Sequence, residues 1–433
     1  MPFLERLGLH RPELRAWAMY DWANSVFMTT VLQVFQIYFP AVAAAELPRA
    51  EAGARLAMAT SLSIAAVALI SPVLGALADV AGRKKALLAL FAGLGVLATA
   101  SLYGAGRGEW LQALILFALG NVGVVASIVF YNALLPHIAR PDEVDRVSTA
   151  GFALGYVSGG VLLAINALWI QWPERFGIAS REAAFQLSFL SAALWWAVFT
   201  IPVLVRVPEP PRMALPGEDA TQGTLARALA RLRTTALEAR RHRDAVLVLV
   251  AFLIYNDAIV TIIRLAATFG GEIGVPAAAL IAAILVVQFV GIPATFVFGQ
   301  IARVVGTKRA IFAALACYVG IILFASRMTT TREFFVLAFL LACVMGGAQA
   351  LSRSLYASMV PKEKSAELFG FFGVFDKFGG VMGTALYALM LRWTGSGRPA
   401  IATLLLFFLV GAAILSRVDV ERGRRAAREA TGG

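Results

Sequence analysis

Gly75-Ala-Leu-Ala-Asp79-Val-Ala-Gly82-Arg83-Lys84-Lys85 is a short polar turn between two apolar runs, at about residues 55–78 and 86–104. Each run is close to the roughly 20 residues a bilayer-crossing helix needs. The two glycines permit close helix approach and a tight turn. Three successive basic residues hold such a turn on the side of the membrane where cations collect. Asp79 can face a helix N-terminus, whose partial positive charge favours an acid.

The same alternation of apolar run and polar turn extends in both directions. Of 433 residues, 60% are hydrophobic and 15% charged, against about 45–50% and 25% in soluble domains. Twelve spans are expected, at about 16–40, 55–78, 86–104, 110–133, 147–170, 184–205, 245–269, 277–301, 310–326, 333–357, 367–391 and 399–416. A polar stretch, 206–243, lies between the sixth and the seventh. The reading is an all-α integral membrane protein of two six-helix bundles, 1–205 and 244–416, with a linker at 206–243 and a basic tail at 417–433. It excludes a soluble enzyme, a secreted disulfide scaffold and a disordered chain. Cys317 and Cys343 lie inside apolar runs and form no metal or redox pattern, so no metal is expected. No cleavable signal is expected, because the first apolar run is too long for one and charges precede it.

Of the 38 basic residues, 26 fall on the side that holds both termini and 206–244, nine on the other side, and three (Arg264, Arg353 and Lys377) within spans. Positive charge marks the inner face, so both termini are expected to be cytoplasmic, in a bacterial inner membrane. The net charge of +12 reflects this bias and does not indicate nucleic-acid binding. The linker opens with Pro208, Pro210, Pro211, Pro216 and Gly217, then turns into a basic helix with Leu225, Leu229, Leu232 and Ala236 along one stripe. Such a helix is expected to lie on the inner membrane surface. Trp22, Trp110, Trp169, Trp172, Trp195, Trp196 and Trp393 fall near span ends and read as interfacial belts.

Three pieces recur at an offset of about 220–225 residues. The opening turn faces Gly299-Gln-Ile-Ala-Arg303-Val-Val-Gly306-Thr-Lys-Arg309; Phe130-Tyr-Asn-Ala-Leu-Leu-Pro136 faces Leu355-Tyr-Ala-Ser-Met-Val-Pro361; Gly159-Gly160 faces Gly379-Gly380. Two parallel repeats describe an alternating-access transporter with its substrate site between them near the midplane. The opening turn resembles the signature between helices 2 and 3 of the major facilitator superfamily, with Arg303 where the second copy should carry an acid. Gly151-Phe-Ala-Leu-Gly155-Tyr156-Val-Ser-Gly159-Gly160 is similar to an element of antiporters and exporters, with Tyr156 in place of its proline.

Narrower motifs resemble the vacuole-effluxer family, which includes autophagy-related amino-acid exporters. They are Tyr20-Asp-Trp-Ala-Asn-Ser25, Tyr255-Asn-Asp257 with Thr261, Gly347-Ala-Gln-Ala-Leu-Ser-Arg-Ser354, Glu367-Leu-Phe-Gly370 and Asp376-Lys377-Phe378. The resemblance implies a secondary transporter of small molecules, needing no cofactor and embedded among membrane lipids, with protons as a candidate coupling ion. The protein is expected to be a monomer.

An ionisable side chain inside a span costs about 2.5–3.5 kcal/mol on insertion scales and marks a cavity or a partner. Asp257 and Arg353 are the expected substrate-binding charges, with Asn24, Asn121 and Gln349 as neutral donors and acceptors. By superfamily resemblance spans 1, 4, 7 and 10 line the cavity, and the set suits a zwitterion with an apolar side chain. Asp21, Asp79, Arg83, Arg264, Asp376 and Lys377 are candidates for gating or ion coupling. An internal Asp257–Arg264 pair is the structural alternative, the two sharing a helix stripe. Neutral amino-acid export is thus the leading function. Lysolipid, drug or organic-anion export, or a non-transporting sensor, stay open. No H-E-x-x-H or Ser–His arrangement supports an enzyme.

Overall fold

The computed structural model describes residues 3–212, 223–237, 242–272, 274–377, 379–395 and 397–430. Gly217, Arg240 and Arg241 lie outside the described residues, as do the side chains of Arg264 and Lys377. The described residues are all-helical, with twelve helices long and apolar enough to cross a membrane. They are α1 (Pro12–Ala43), α2 (Glu51–Ala81), α3 (Lys84–Gly104), α4 (Trp110–Ile138), α5 (Val144–Gln171), α6 (Arg181–Arg206), α7 (Arg243–Glu272), α8 (Ala277–Val305), α9 (Thr307–Ala325), α10 (Thr331–Ala357), α11 (Lys362–Thr394) and α12 (Gly397–Ser416).

Local sequence accounts for the interruptions. Gly82 ends α2 in the left-handed region, φ 62°, which lets the chain reverse into α3 within two residues. The eleventh apolar run is not one continuous helix. It comprises Ser365–Lys377 and Val381–Thr394, with Gly380 at φ 83° between them. The repeat-related Gly159-Gly160 leaves α5 unbroken, because the break also needs a partner for the freed backbone groups. Helix α1 carries π-helical turns at Phe27–Val31 and Phe39–Ala43, which re-aim side chains beyond Asn24.

Two halves, α1–α6 and α7–α12, meet mainly at the end that bears both termini and the basic loops, here the basic end. There α2 crosses α11 and α5 crosses α8. The first crossing brings backbone onto backbone: a methyl group on Gly75 would collide with the carbonyl oxygen of Ala366, and one on Gly370 would stand 2.6 Å from that of Ser71. Gly75→Ala therefore has no flexible side chain to displace. Overpacking of this kind costs about 1–3 kcal/mol, and here it falls on the closed arrangement alone. The expected result is a larger fraction of molecules with α2 and α11 separated, read from spin-label distances across the basic end.

Two surfaces show contacts that local sequence does not report. The linker helix (Thr224–Leu237) packs one side on the protein. Its Ala228 and Leu232 pack against Ala76, Leu77 and Val80 of α2, and Arg231, 4% exposed, donates to the Glu363 carbonyl oxygen at 2.8 Å. Of the expected stripe, Leu232 packs on α2, while Leu225 and Leu229 are exposed. The tryptophans do not all form belts. Trp196 is fully buried against Phe27, and Trp22 stacks on Trp195 at 5.6 Å between ring centroids. Large aromatics near a span end fill the inter-helix space where small residues such as Gly95 leave room.

Candidate functional site

Between the halves lies a cavity of about 1230 Å³. Its lining begins away from the basic end with Gln36, Phe39, Ala52 and Gly53 and descends to Asp21, Asn132, Arg353 and Asp376. Asn24, Asn121, Gln288 and Gln349 supply amides, while Met28, Phe117, Ile128, Phe152, Tyr156, Phe252 and Phe372 supply an apolar and aromatic wall. The spans expected to line it contribute, and so do α2, α5, α8 and α11.

The floor is built around Arg353. Its guanidinium lies over the rings of Phe152, Trp17 and Tyr131, at 4.4, 4.9 and 5.6 Å from their centroids. Nε donates to Ser148 Oγ (2.9 Å), Nη2 to the Ser148 carbonyl oxygen (2.8 Å), and both Nη atoms to Asp21 Oδ2 (3.2 Å). Nη1 also reaches Asn132 Oδ1 at 3.4 Å. Tyr131 Oη donates to the same Asp21 oxygen at 2.8 Å. Arg353 belongs to α10 and Asp21 to α1, so this charge pair joins the two halves beneath the cavity. Aromatic faces and the carboxylate together stabilise a cation held away from water.

Asp257 sits elsewhere. It is fully buried and is not part of the cavity lining. Its carboxylate accepts from the backbone N–H of Met382 (3.1 Å) and of Gly383, at the start of the second segment of α11. The break in α11 frees those N–H groups, and an acid at a helix N-terminus satisfies them. Asp257 and Arg353 therefore do not face one another across a substrate space, and Arg353 takes Asp21 as its partner. Among the amides, Asn24 Nδ2 donates to Tyr20 O (2.7 Å) and Asn121 Nδ2 to Phe117 O (3.2 Å), each within its own helix. Gln349 Nε2 donates to Asn256 Oδ1 at 3.2 Å, tying α10 to α7.

A second charged cluster seals the basic end. Asp79 Oδ2 accepts from the backbone N–H of Glu367 at 2.8 Å, across the interface in the first turn of Ser365–Lys377. Asp79 Oδ1 pairs with Lys84 Nζ at 2.7 Å, and both side chains are almost fully buried. Arg83 is exposed, so the basic residue that neutralises the acid is Lys84. Lys84 is the first residue of α3, two positions after Gly82, and the tight reversal there brings its side chain back to Asp79. Arg231 of the linker helix stands 3.9 Å from Glu367. Sequence reasoning missed Lys84, Arg231, Tyr131, Asn132 and Ser148 as members of these clusters. Only the repeated Phe130-Tyr131-Asn132 motif carried a signal for any of the last three. Among the described residues no group of three or more His, Cys, Asp or Glu side chains forms a metal site.

Twelve membrane-length helices in two halves, a central cavity and inter-half contacts at one end have the architecture of a membrane transporter. Solved structures share the fold. A bacterial homologue of the iron transporter ferroportin in an outward-facing state superposes with TM-score 0.68 at 14% identity, covering 94% of this chain and 98% of that one. The proton:xylose symporter XylE gives 0.67 at 14%, covering 96% of each. Residues 49–144 and 142–428 match the family described as "Vacuole effluxer Atg22 like". The MFS-type transporter YxiO of Bacillus subtilis (strain 168) is 32% identical over 94% of both chains. Autophagy-related protein 22 of Saccharomyces cerevisiae (strain ATCC 204508 / S288c) is 26% identical over 74% of this chain and 68% of its own. The chain spans about half the length of several other fungal relatives, 51% in one from Neosartorya fischeri. This chain belongs to the Atg22-like vacuole-effluxer family.

Proposed function

We propose that this protein exports neutral, apolar amino acids by proton-coupled alternating access, residues 1–205 and 244–416 rocking about the central cavity. The observation that carries the reading is the Asp21–Arg353 pair, which joins the halves at the cavity floor. A zwitterion carries the two charges needed to compete with each partner: its carboxylate for Arg353, its ammonium for Asp21 or for Asp376 on the wall. The phenylalanines above the floor receive an apolar side chain. A proton on Asp21 weakens the same pair, so substrate and proton act on one inter-half lock. The family's description as an effluxer is what suggests export as the activity.

The basic end is proposed to face the cytoplasm of a bacterial cell, with the protein in its inner membrane and both termini inside. The cavity then opens outward. Single cysteines at Arg107 and Arg398 are expected to react with an impermeant reagent from outside, and one at Lys85 only after permeabilisation. The reverse pattern would invert the topology.

The function is tested by flux of radiolabelled leucine and phenylalanine in proteoliposomes of the purified protein, with and without a pH gradient. Flux of both, raised by the gradient, is the expected result. Absence of amino-acid flux with robust movement of an organic anion or a lysolipid would overturn the substrate.

A further inference from the structure

The two turns that resemble each other differ at one decisive position. In the first, Asp79 reaches across to the start of α11. In the second, Arg303 stands in the acid's place and is exposed, which leaves the α5–α8 side without that acid. The structure supplies an acid from the opposite half. Asp145, in the first turn of α5, accepts from Thr307 Oγ1 at 2.5 Å through Oδ2 and from Ser354 Oγ through Oδ1. Thr307 is the first residue of α9 and Ser354 lies on α10, so a single carboxylate bridges α5 to two helices of the other half.

The neighbours on α5 continue the contact in helical steps. Ser148 Oγ donates to the Ala350 carbonyl oxygen at 2.8 Å, and Thr149 fills the space left by Gly299 on α8. Hydroxyl donors to a carboxylate are charge-assisted, roughly twice as strong as neutral hydrogen bonds. Separation of the halves breaks both at once.

We propose that Asp145 is the gate acid of the α5–α8 contact, the role that Asp79 has at α2–α11, transferred from the second turn to the opposite half. Both gate acids then belong to the N-terminal half, and the C-terminal half presents donors: the Glu367 N–H, the Thr307 hydroxyl and the Ser354 hydroxyl. Asp145 acts by positioning the halves and touches no substrate. The proposal rests on the alternating-access reading but is independent of what is carried.

The test places spin labels at Asp142 and Arg303, both exposed at the basic end on opposite halves, and reads the distance distribution in nanodiscs. Asp145→Asn is expected to raise the ratio of separated to closed molecules about ten-fold, from the loss of charge-assisted hydrogen bonds. Thr307→Val with Ser354→Ala removes the same two bonds and leaves the acid in place. It should produce a similar rise, and little further change when combined with Asp145→Asn. If Asp145→Asn does not fold, the hydroxyl pair alone decides, and an unchanged distribution there overturns the proposal. So does full additivity of the two sets of changes. A wild-type protein whose distance moves with substrate or pH while Asp145→Asn matches it would overturn the gate acid and leave alternating access standing. A wild-type distance that nothing moves would overturn both.

Discussion

Arg353→Gln is expected to abolish transport while the twelve-helix fold persists. The guanidinium makes five hydrogen bonds, to Asp21, Asn132 and Ser148, from a site that is 4% exposed. Glutamine reaches at most part of that set and carries no charge. Removing one partner of a buried ion pair costs about 3–5 kcal/mol, because the other charge is left without compensation. If that cost falls on the closed arrangement, the transport cycle loses one of its end states, and flux falls by roughly two orders of magnitude or more. The companion variant Asp21→Asn/Arg353→Gln removes both charges. It is expected to regain most of the thermal stability in detergent and none of the flux. Double-variant flux near wild type would mean that the pair only holds helices together. Flux measured in proteoliposomes, beside melting temperature, separates the two.

Asp79→Asn is the second large effect. Lys84 Nζ lies 2.7 Å from Asp79 Oδ1, and the Lys84 side chain is 4% exposed. Neutralising the acid leaves an ammonium ion buried among α2, α3 and α11. The same range of about 3–5 kcal/mol applies, larger than the roughly 0.3–2 kcal/mol for an acid that only faces a helix end. Separation of α2 from α11 rehydrates Lys84, so the cost falls on the closed basic end. Distances between labels at the basic ends of α3 and of α11 should lengthen in most molecules. Lys84→Met in the same background restores neutrality and should return the population part of the way toward wild type. A distribution unchanged by Asp79→Asn would show that the first contact contributes nothing to closure.

How much of this was legible beforehand differs from residue to residue. The turn from Gly75 to Lys85 contained the gate acid, its glycines and Lys84, because a tight turn at a helix crossing constrains neighbouring residues together. It did not indicate which of three basic residues folds inward, since that depends on the angle at which α3 leaves Gly82. Asp21 and Arg353 were each conspicuous as charges inside apolar runs. Their pairing was not, because they are 332 positions apart and nothing local links them. Asp257 looked like a substrate ligand on the same grounds of charge in an apolar run. The break at Gly380 gives it backbone donors instead, and no helix periodicity reports where a break in a different helix will fall.

The all-helical membrane fold, the twelve spans, the charge asymmetry between the two ends and the internal repeat are legible in the order of residues alone. Each follows from interactions within about 20 residues or from the transfer of apolar groups out of water, which composition records directly. Which charges meet depends on helix packing: Arg353 with Asp21, Asp79 with Lys84, Asp257 with α11, and Asp145 with Thr307 and Ser354. In a low-dielectric interior a buried charge is stabilised by whichever partner the packing brings within about 3 Å. That distance is set by the crossing of helices far apart in the chain.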